Sequence, residues 1–146
     1  MIAFTDQIVV SKSIEETFDY ASNMENSPKI LANVDEVTKM TDGPIGQHTK
    51  FKEVREIRGK KAEAIIEYIS FSKNKSYSAR SALQGLETIY HYEFSETEGG
   101  TRIDFSCEVN TKGLKMRIIR PFFIKILKQE DSQHLTKLKD ALEANS

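Results

Sequence analysis

Three histidines, one cysteine and a set of tyrosines carry most of the chemistry this chain offers. Glu130 and His134 are four residues apart, a spacing that lets two side chains touch on one helical face. Inside a cavity, such a carboxylate would orient the imidazole as a general base, able to take a proton from the carbon next to a carbonyl. Leu127 and Leu138 flank the pair, yet Gln129 to Gln133 is polar throughout, which fits a solvated stretch equally well. His48, His91 and His134 form no close pair and have no carboxylate at ligand spacing, so no metal site and no other cofactor is expected. Cys107 lies in an apolar alternation and reads as a small buried hydrophobe. Glu53 and Arg55 share a strand face with Phe51, and an exposed ion pair at a cavity mouth is expected of them.

The aromatic residues form the larger pattern. Tyr90, Tyr92 and Phe94 alternate on one segment, and Phe105 alternates with Ile103, Cys107 and Val109 on the next. Tyr68 follows Ala62, Ala64 and Ile66 at the same period of two, with Glu63 and Glu67 marking the other face. Phe51 and Tyr77 can be placed inward as well. With Phe122, Phe123 and Leu127 from the end of the chain, they would line an apolar cavity with a few phenol hydroxyls at its edge. Such a lining suits a hydrophobic ligand held by one or two polar contacts. An ordinary packed core uses the same residues, and both readings stay open.

The elements that must hold these side chains can be read from punctuation. Phe4 to Val10 alternates as a strand. Ser13-Ile14-Glu15-Glu16 is a capping box opening a short helix to Ala21, and Ser27-Pro28 opens a second short turn. Between Val34 and Asn110, turn chemistry recurs at Asp42-Gly43-Pro44-Ile45-Gly46, Arg58-Gly59-Lys60, Lys73-Asn74-Lys75, Gln84-Gly85 and Glu98-Gly99-Gly100. Strands are expected at 36–41, 47–57, 62–71, 76–83, 88–95 and 101–110, an antiparallel meander that makes seven strands with the first. A sheet of that size must cover its apolar face. Met116, Phe123, Leu127, His134, Leu138 and Leu142 fall on one helical stripe, so a long terminal helix is the cover. Pro121 either starts that helix or kinks it.

This order of elements resembles the helix-grip fold, an α+β architecture. More narrowly, the chain resembles the bacterial polyketide cyclase/dehydrase and lipid-transport group of the START-like superfamily. The likeness rests on the opening helix from Ser13 to Tyr20, on Glu25-Asn26-Ser27-Pro28, and on Gly43-Pro44-Ile45-Gly46. Gly99-Gly100-Thr101-Arg102-Ile103 and Leu138-Lys139-Asp140-Ala141-Leu142-Glu143 complete it. The resemblance implies a cavity between the concave sheet face and the terminal helix, and a ligand drawn from lipids, quinones or polyketide-like molecules. It implies no single catalytic set, because the superfamily shares none.

Composition bounds the rest. The 146 residues suit one domain over the whole chain, and 21 basic against 22 acidic side chains exclude a nucleic-acid binder working by bulk charge. One cysteine makes no internal disulfide. No secretory start and no apolar run of spanning length is present, so a cytoplasmic protein, monomer or homodimer, is expected. From Lys112 to Lys128 the charges are all basic, and the apolar residues cover more than half the helical circumference. That combination resembles a helix lying on an anionic membrane, although solvated charges behind a packed face would look alike. The functional expectation is binding or carriage of a small hydrophobic ligand. The alternatives are a cyclase or dehydratase using Glu130 and His134, or an interaction module working through the basic segment.

Overall fold

Alternating strand residues and tight turns in the middle of the chain become, in the computed structural model, a single antiparallel sheet. The structure describes residues 2–31, 34–57, 59–83 and 85–144, without the side chains of Ile57, Leu83, Glu130 and Asp131. Among these, β1 (Ile2–Val10) leads into α1 (Ile14–Ser22), a short 3-10 turn at Met24–Asn26 and α2 (Ser27–Ile30). The meander follows as β2 (Val34–Lys39), β3 (Lys50–Ile57), β4 (Lys60–Ser72), β5 (Ser76–Leu83), β6 (Leu86–Thr97) and β7 (Gly100–Thr111), and the chain ends in α3 (Leu114–Asp131) and α4 (His134–Ala144). The seven strands lie in the order β1-β7-β6-β5-β4-β3-β2. The first strand therefore closes the edge left by the last, and the architecture is the helix-grip fold.

Local chemistry explains how α1 is set. The Ser13 hydroxyl accepts from the Glu16 N–H at 3.1 Å, the first bond of a capping box, and donates to the Glu16 carboxylate at 3.3 Å. Phe18 then enters the concave face, edge-on to Phe71, Tyr77 and Phe94 with ring centroids 5.3, 5.8 and 5.1 Å away. Full burial of one such ring is worth about 2–3 kcal/mol. At the far end of α1, the Tyr68 hydroxyl donates to the Ser22 carbonyl at 2.5 Å and the Tyr77 hydroxyl to the Ala21 carbonyl at 3.0 Å. Two carbonyls that a helix end leaves without intrahelical partners are thereby satisfied from the sheet.

The terminal segment is two helices where one long helix was expected, and Pro121 does not start the first of them. α3 starts at Leu114, passes through Pro121 and ends at Asp131, and α4 starts at His134. At the break the Ser132 hydroxyl donates to the Gln129 carbonyl at 3.0 Å, a local bond that competes with the helical ladder. The two pieces pack differently. Leu135, Leu138 and Leu142 of α4 are buried against β1, α2 and α1, whereas α3 lies chiefly along β7.

The β6–β7 turn needs its two glycines for different reasons. Gly99 has a φ of +83°, in the left-handed region. A Cβ on Gly100 would stand 2.0 Å from the Val10 carbonyl oxygen, where β1 turns toward α1. Gly100→Ala should therefore cost about 2–3 kcal/mol by forcing backbone apart, and Gly99→Ala, with open space around it, about 1–2 kcal/mol. Urea denaturation of the two variants checks the order, and equal costs would disprove it.

Candidate functional site

β3 to β7 present one row of inward side chains each, and the register brings the predicted aromatics together. Phe105 on β7 faces Tyr92 on β6, and Tyr92 faces Tyr77 on β5. The Tyr77 and Tyr92 rings stack at 4.6 Å, and Tyr92 and Phe105 tilt together at 5.0 Å. Phe51 and Tyr68 complete the buried group at 5.4 Å. Tyr90 is half-buried and meets Phe105 edge-on at 5.3 Å. From the helix, Leu127 is buried and Phe123 packs half-buried on the core, but Phe122 is 73 % exposed and lines nothing inside, contrary to its expected place in the lining. An apolar stretch that covers more than half a helix leaves its inward direction undetermined, and Phe122 falls on the outward part of it.

The phenol hydroxyls are not free at a cavity edge as a set. Those of Tyr68 and Tyr77 are held by α1, and burial pushes both phenols upward in pKa, so they stay neutral donors. Tyr92 differs. Its hydroxyl lies 3.1 Å from His134 Nε2, and the imidazole is also edge-on to Tyr92 and Phe105, with centroids 5.7 and 5.3 Å away. His134 Nδ1 is buried and finds no partner among the described residues.

Burial, and secondarily the charge of Arg55, pushes the His134 pKa down to about 4, while Asp6 opposes them. The imidazole is neutral at pH 7. The expected neighbour, Glu130, has its side chain outside the described residues; the helix break falls between the two positions, so they no longer share one continuous helical face.

Arg55 and Glu53 form the ion pair expected on β3, at 3.0 Å, but not as an exposed one: Glu53 is only 5 % exposed. They sit opposite Ala62 and Ala64 on β4. Those alanines share the face of Ile66 and Tyr68, yet Ala62 is exposed and Ala64 only half-buried. The concave face is thus filled with rings beside α1 and thinner beside the Glu53–Arg55 pair, where β4 offers only methyl groups at Ala62 and Ala64.

The convex face holds a chain that spacing did not reveal. Ser78 Oγ lies 2.7 Å from His91 Nδ1, and His91 Nε2 lies 2.9 Å from the Glu108 carboxylate. Bonds from Asn110 and His91 hold the Glu108 carboxyl below its usual range. Three strands contribute one residue each, so only the register shows it; the outward parity of His91 was the available hint. Acyl transfer would also need free N–H donors beside Ser78. β5 is paired across Ser78 with both β4 and β6, so its N–H groups belong to the sheet. Among the described residues no cluster of three or more His, Cys, Asp or Glu is arranged to hold a metal. Cys107 is buried, as its alternation implied. His48 is exposed, in the turn before β3, with Nδ1 3.5 Å from Glu67.

Residues 1–143 match the family model described as polyketide cyclase / dehydrase and lipid transport. The chain belongs to this family. Among solved structures, the family fold recurs in TTHA0849 from Thermus thermophilus, at 16 % identity and a TM-score of 0.78 over 97 % of each chain. It recurs in a START superfamily protein from Mycobacterium smegmatis, at 14 % identity and a TM-score of 0.70 over 98 % of each. The di-domain ARO/CYC StfQ from the steffimycin biosynthetic pathway gives a TM-score of 0.79 at 14 % identity, covering 97 % of this chain and 50 % of that one. At such identities these likenesses establish the fold. No curated protein matches the sequence.

His134 makes the fold sensitive to mild acid. In the unfolded chain the imidazole takes a proton near the ordinary value of 6.5, but in the fold it resists until about 4. Between those values only the unfolded state gains the proton, so stability is complete above pH 6.5 and falls as the pH drops toward 4, by about 3 kcal/mol. His134→Gln keeps a neutral partner for Tyr92 and should flatten that window. Urea midpoints at about pH 7 and about pH 5 measure it, on either side of the ordinary imidazole value; parallel losses in both proteins would rule out His134 as the cause.

Proposed function

We propose that this protein binds a small hydrophobic molecule, a lipid, quinone or polyketide-like compound, and carries it without transforming it. The ligand enters over Ala62 and Ala64, beside the Glu53–Arg55 pair, and lies between the concave face and α3 with Phe123 and Leu127 as its helical wall. The observation that carries the reading is His134: an enclosed imidazole with Tyr92 on one nitrogen and, among the described residues, no partner on the other. A buried polar atom left so costs about 1–3 kcal/mol. A hydroxyl or carbonyl on the ligand removes that cost and sets the ligand's direction. Arg55, close enough to depress the His134 pKa, favours a ligand whose polar end bears partial negative charge.

The family joins cyclases and dehydrases to lipid transport, and StfQ comes from the steffimycin biosynthetic pathway. A cyclase would use His134 as its base. A base that holds its proton only below about pH 4 is poorly matched to proton abstraction near neutral pH. Carriage needs the same hydrogen bond and no proton transfer.

Native mass spectrometry of the purified protein, followed by organic extraction, should show a stoichiometric apolar compound with a hydroxyl or carbonyl group. His134→Phe should lower its retention about tenfold, the worth of one hydrogen bond. A bare protein mass, together with no thermal shift from lipids, quinones or aromatic polyketides, would sink the reading. Conversion of an added poly-keto substrate, lost in His134→Phe, would move the protein to the cyclases.

A further inference from the structure

α3 presents to solvent what a packed helix hides. Leu114 is 74 % exposed, Ile118 69 % and Phe122 73 %. They stand one turn apart on successive turns, so they form a ridge about 12 Å long. Their spacing places them opposite Met116, Phe123 and Leu127, the side that meets the core. The ridge is not a packing surface awaiting another part of this sheet, because the inward side of the same helix already serves that purpose.

The charge around the ridge has one sign. No acidic residue occurs between Glu108 and Glu130, while Lys112, Lys115, Arg117, Arg120, Lys125 and Lys128 fall in that interval. All but Arg120 are exposed, and Arg120 donates to the Val109 carbonyl at 3.2 and 3.3 Å, which ties the helix to β7. On the helical wheel Lys125 lies in line with the ridge, Arg117 and Lys128 to one side of it and Lys115 to the other. The whole chain carries −1, so the remaining residues are net negative and the molecule is polarised toward α3.

We infer that this face of α3 docks on an anionic lipid bilayer. A second copy of the chain would bring one set of cations against another. Nucleic acid would meet the cations but leave three large apolar side chains facing phosphate. An anionic bilayer accepts both features together: Leu114, Ile118 and Phe122 enter the boundary of headgroup and acyl chain, and the Lys and Arg stems lie along it with their charges at the phosphates. The contact is peripheral, since among the described residues no helix is long and apolar enough to cross a membrane. It goes beyond the ligand reading and does not depend on what fills the interior.

The chain has no tryptophan, so Phe122→Trp adds a single indole at an exposed position. On phosphatidylcholine vesicles containing one phosphatidylglycerol in three, its emission should shift to the blue and be quenched by brominated acyl chains. Phosphatidylcholine alone should bind far less. Lys125→Gln with Lys128→Gln should weaken partitioning about twenty-five-fold, from about fivefold per cation. Ile118→Ser and Phe122→Ser, both at exposed positions that leave the core intact, should each cost about tenfold or more in sedimentation with the anionic vesicles. Emission unchanged by vesicles, equal binding to neutral and anionic lipid, or binding indifferent to Ile118→Ser would each overturn the inference. So would a concentration-dependent dimer abolished by Ile118→Ser and Phe122→Ser, which would make the ridge a contact between copies. The extraction experiment reads the interior and the vesicle experiment reads α3, so failure of one leaves the other standing.

Discussion

The concave side of this molecule depends on how α1 is pinned to the sheet. Phe18 occupies the space among Phe71, Tyr77 and Phe94, and the hydroxyls of Tyr68 and Tyr77 hold the last carbonyls of α1. These two kinds of contact constrain different things. Ring burial is non-directional and sets the depth of the helix, while the two hydrogen bonds fix where it ends. With α1 fixed, one end of the concave face is solid aromatic packing. Toward β3 and β4 the filling thins, because Ala62 and Ala64 replace rings with methyl groups.

That division explains the broken terminal helix. α4 must follow the filled end, and its leucines bury against β1, α2 and α1. α3 takes a different course, along β7. A single straight helix would have to satisfy both surfaces at one angle. The break at Ser132–Gln133 releases that constraint, and it places His134 at the first position of α4, directly against Tyr92 and Phe105.

Much of this architecture was legible because it is written locally. Alternation marks the strands, glycine and asparagine the turns, and Ser13 with Glu16 the start of α1. The inward placement of Phe51, Tyr68, Tyr77, Tyr92 and Phe105 also follows from alternation, since parity survives folding wherever no bulge intervenes. What escaped were partnerships made across the chain. Tyr68 and Tyr77 reach carbonyls in a helix 46 and 56 positions away, so their hydroxyls looked available when they are not. Glu53 looked like a rim residue because a charged side chain beside Phe51 is usually exposed; its bond to Arg55 is one of the contacts that make its burial tolerable. The Ser78–His91–Glu108 chain exists solely in the register of three strands. The helix break rests on a balance between backbone and side-chain bonds that a polar run from Gln129 to Gln133 suggests but does not decide.

α3 is the element where these constraints meet. Its inner side packs on the core through Phe123, Ile124 and Leu127 and is tied to β7 by the Arg120 bonds to Val109. Its outer side keeps large apolar groups in water, an arrangement that costs solubility unless something covers them. A helix anchored firmly on both sides could neither uncover an interior nor meet a surface. A helix packed on its inside, cationic and apolar on its outside, and separated by a break from the segment that carries the polar anchor, can be engaged by a surface without disturbing His134 or Tyr92. That two-sidedness makes α3 the natural boundary between the interior and whatever the molecule meets.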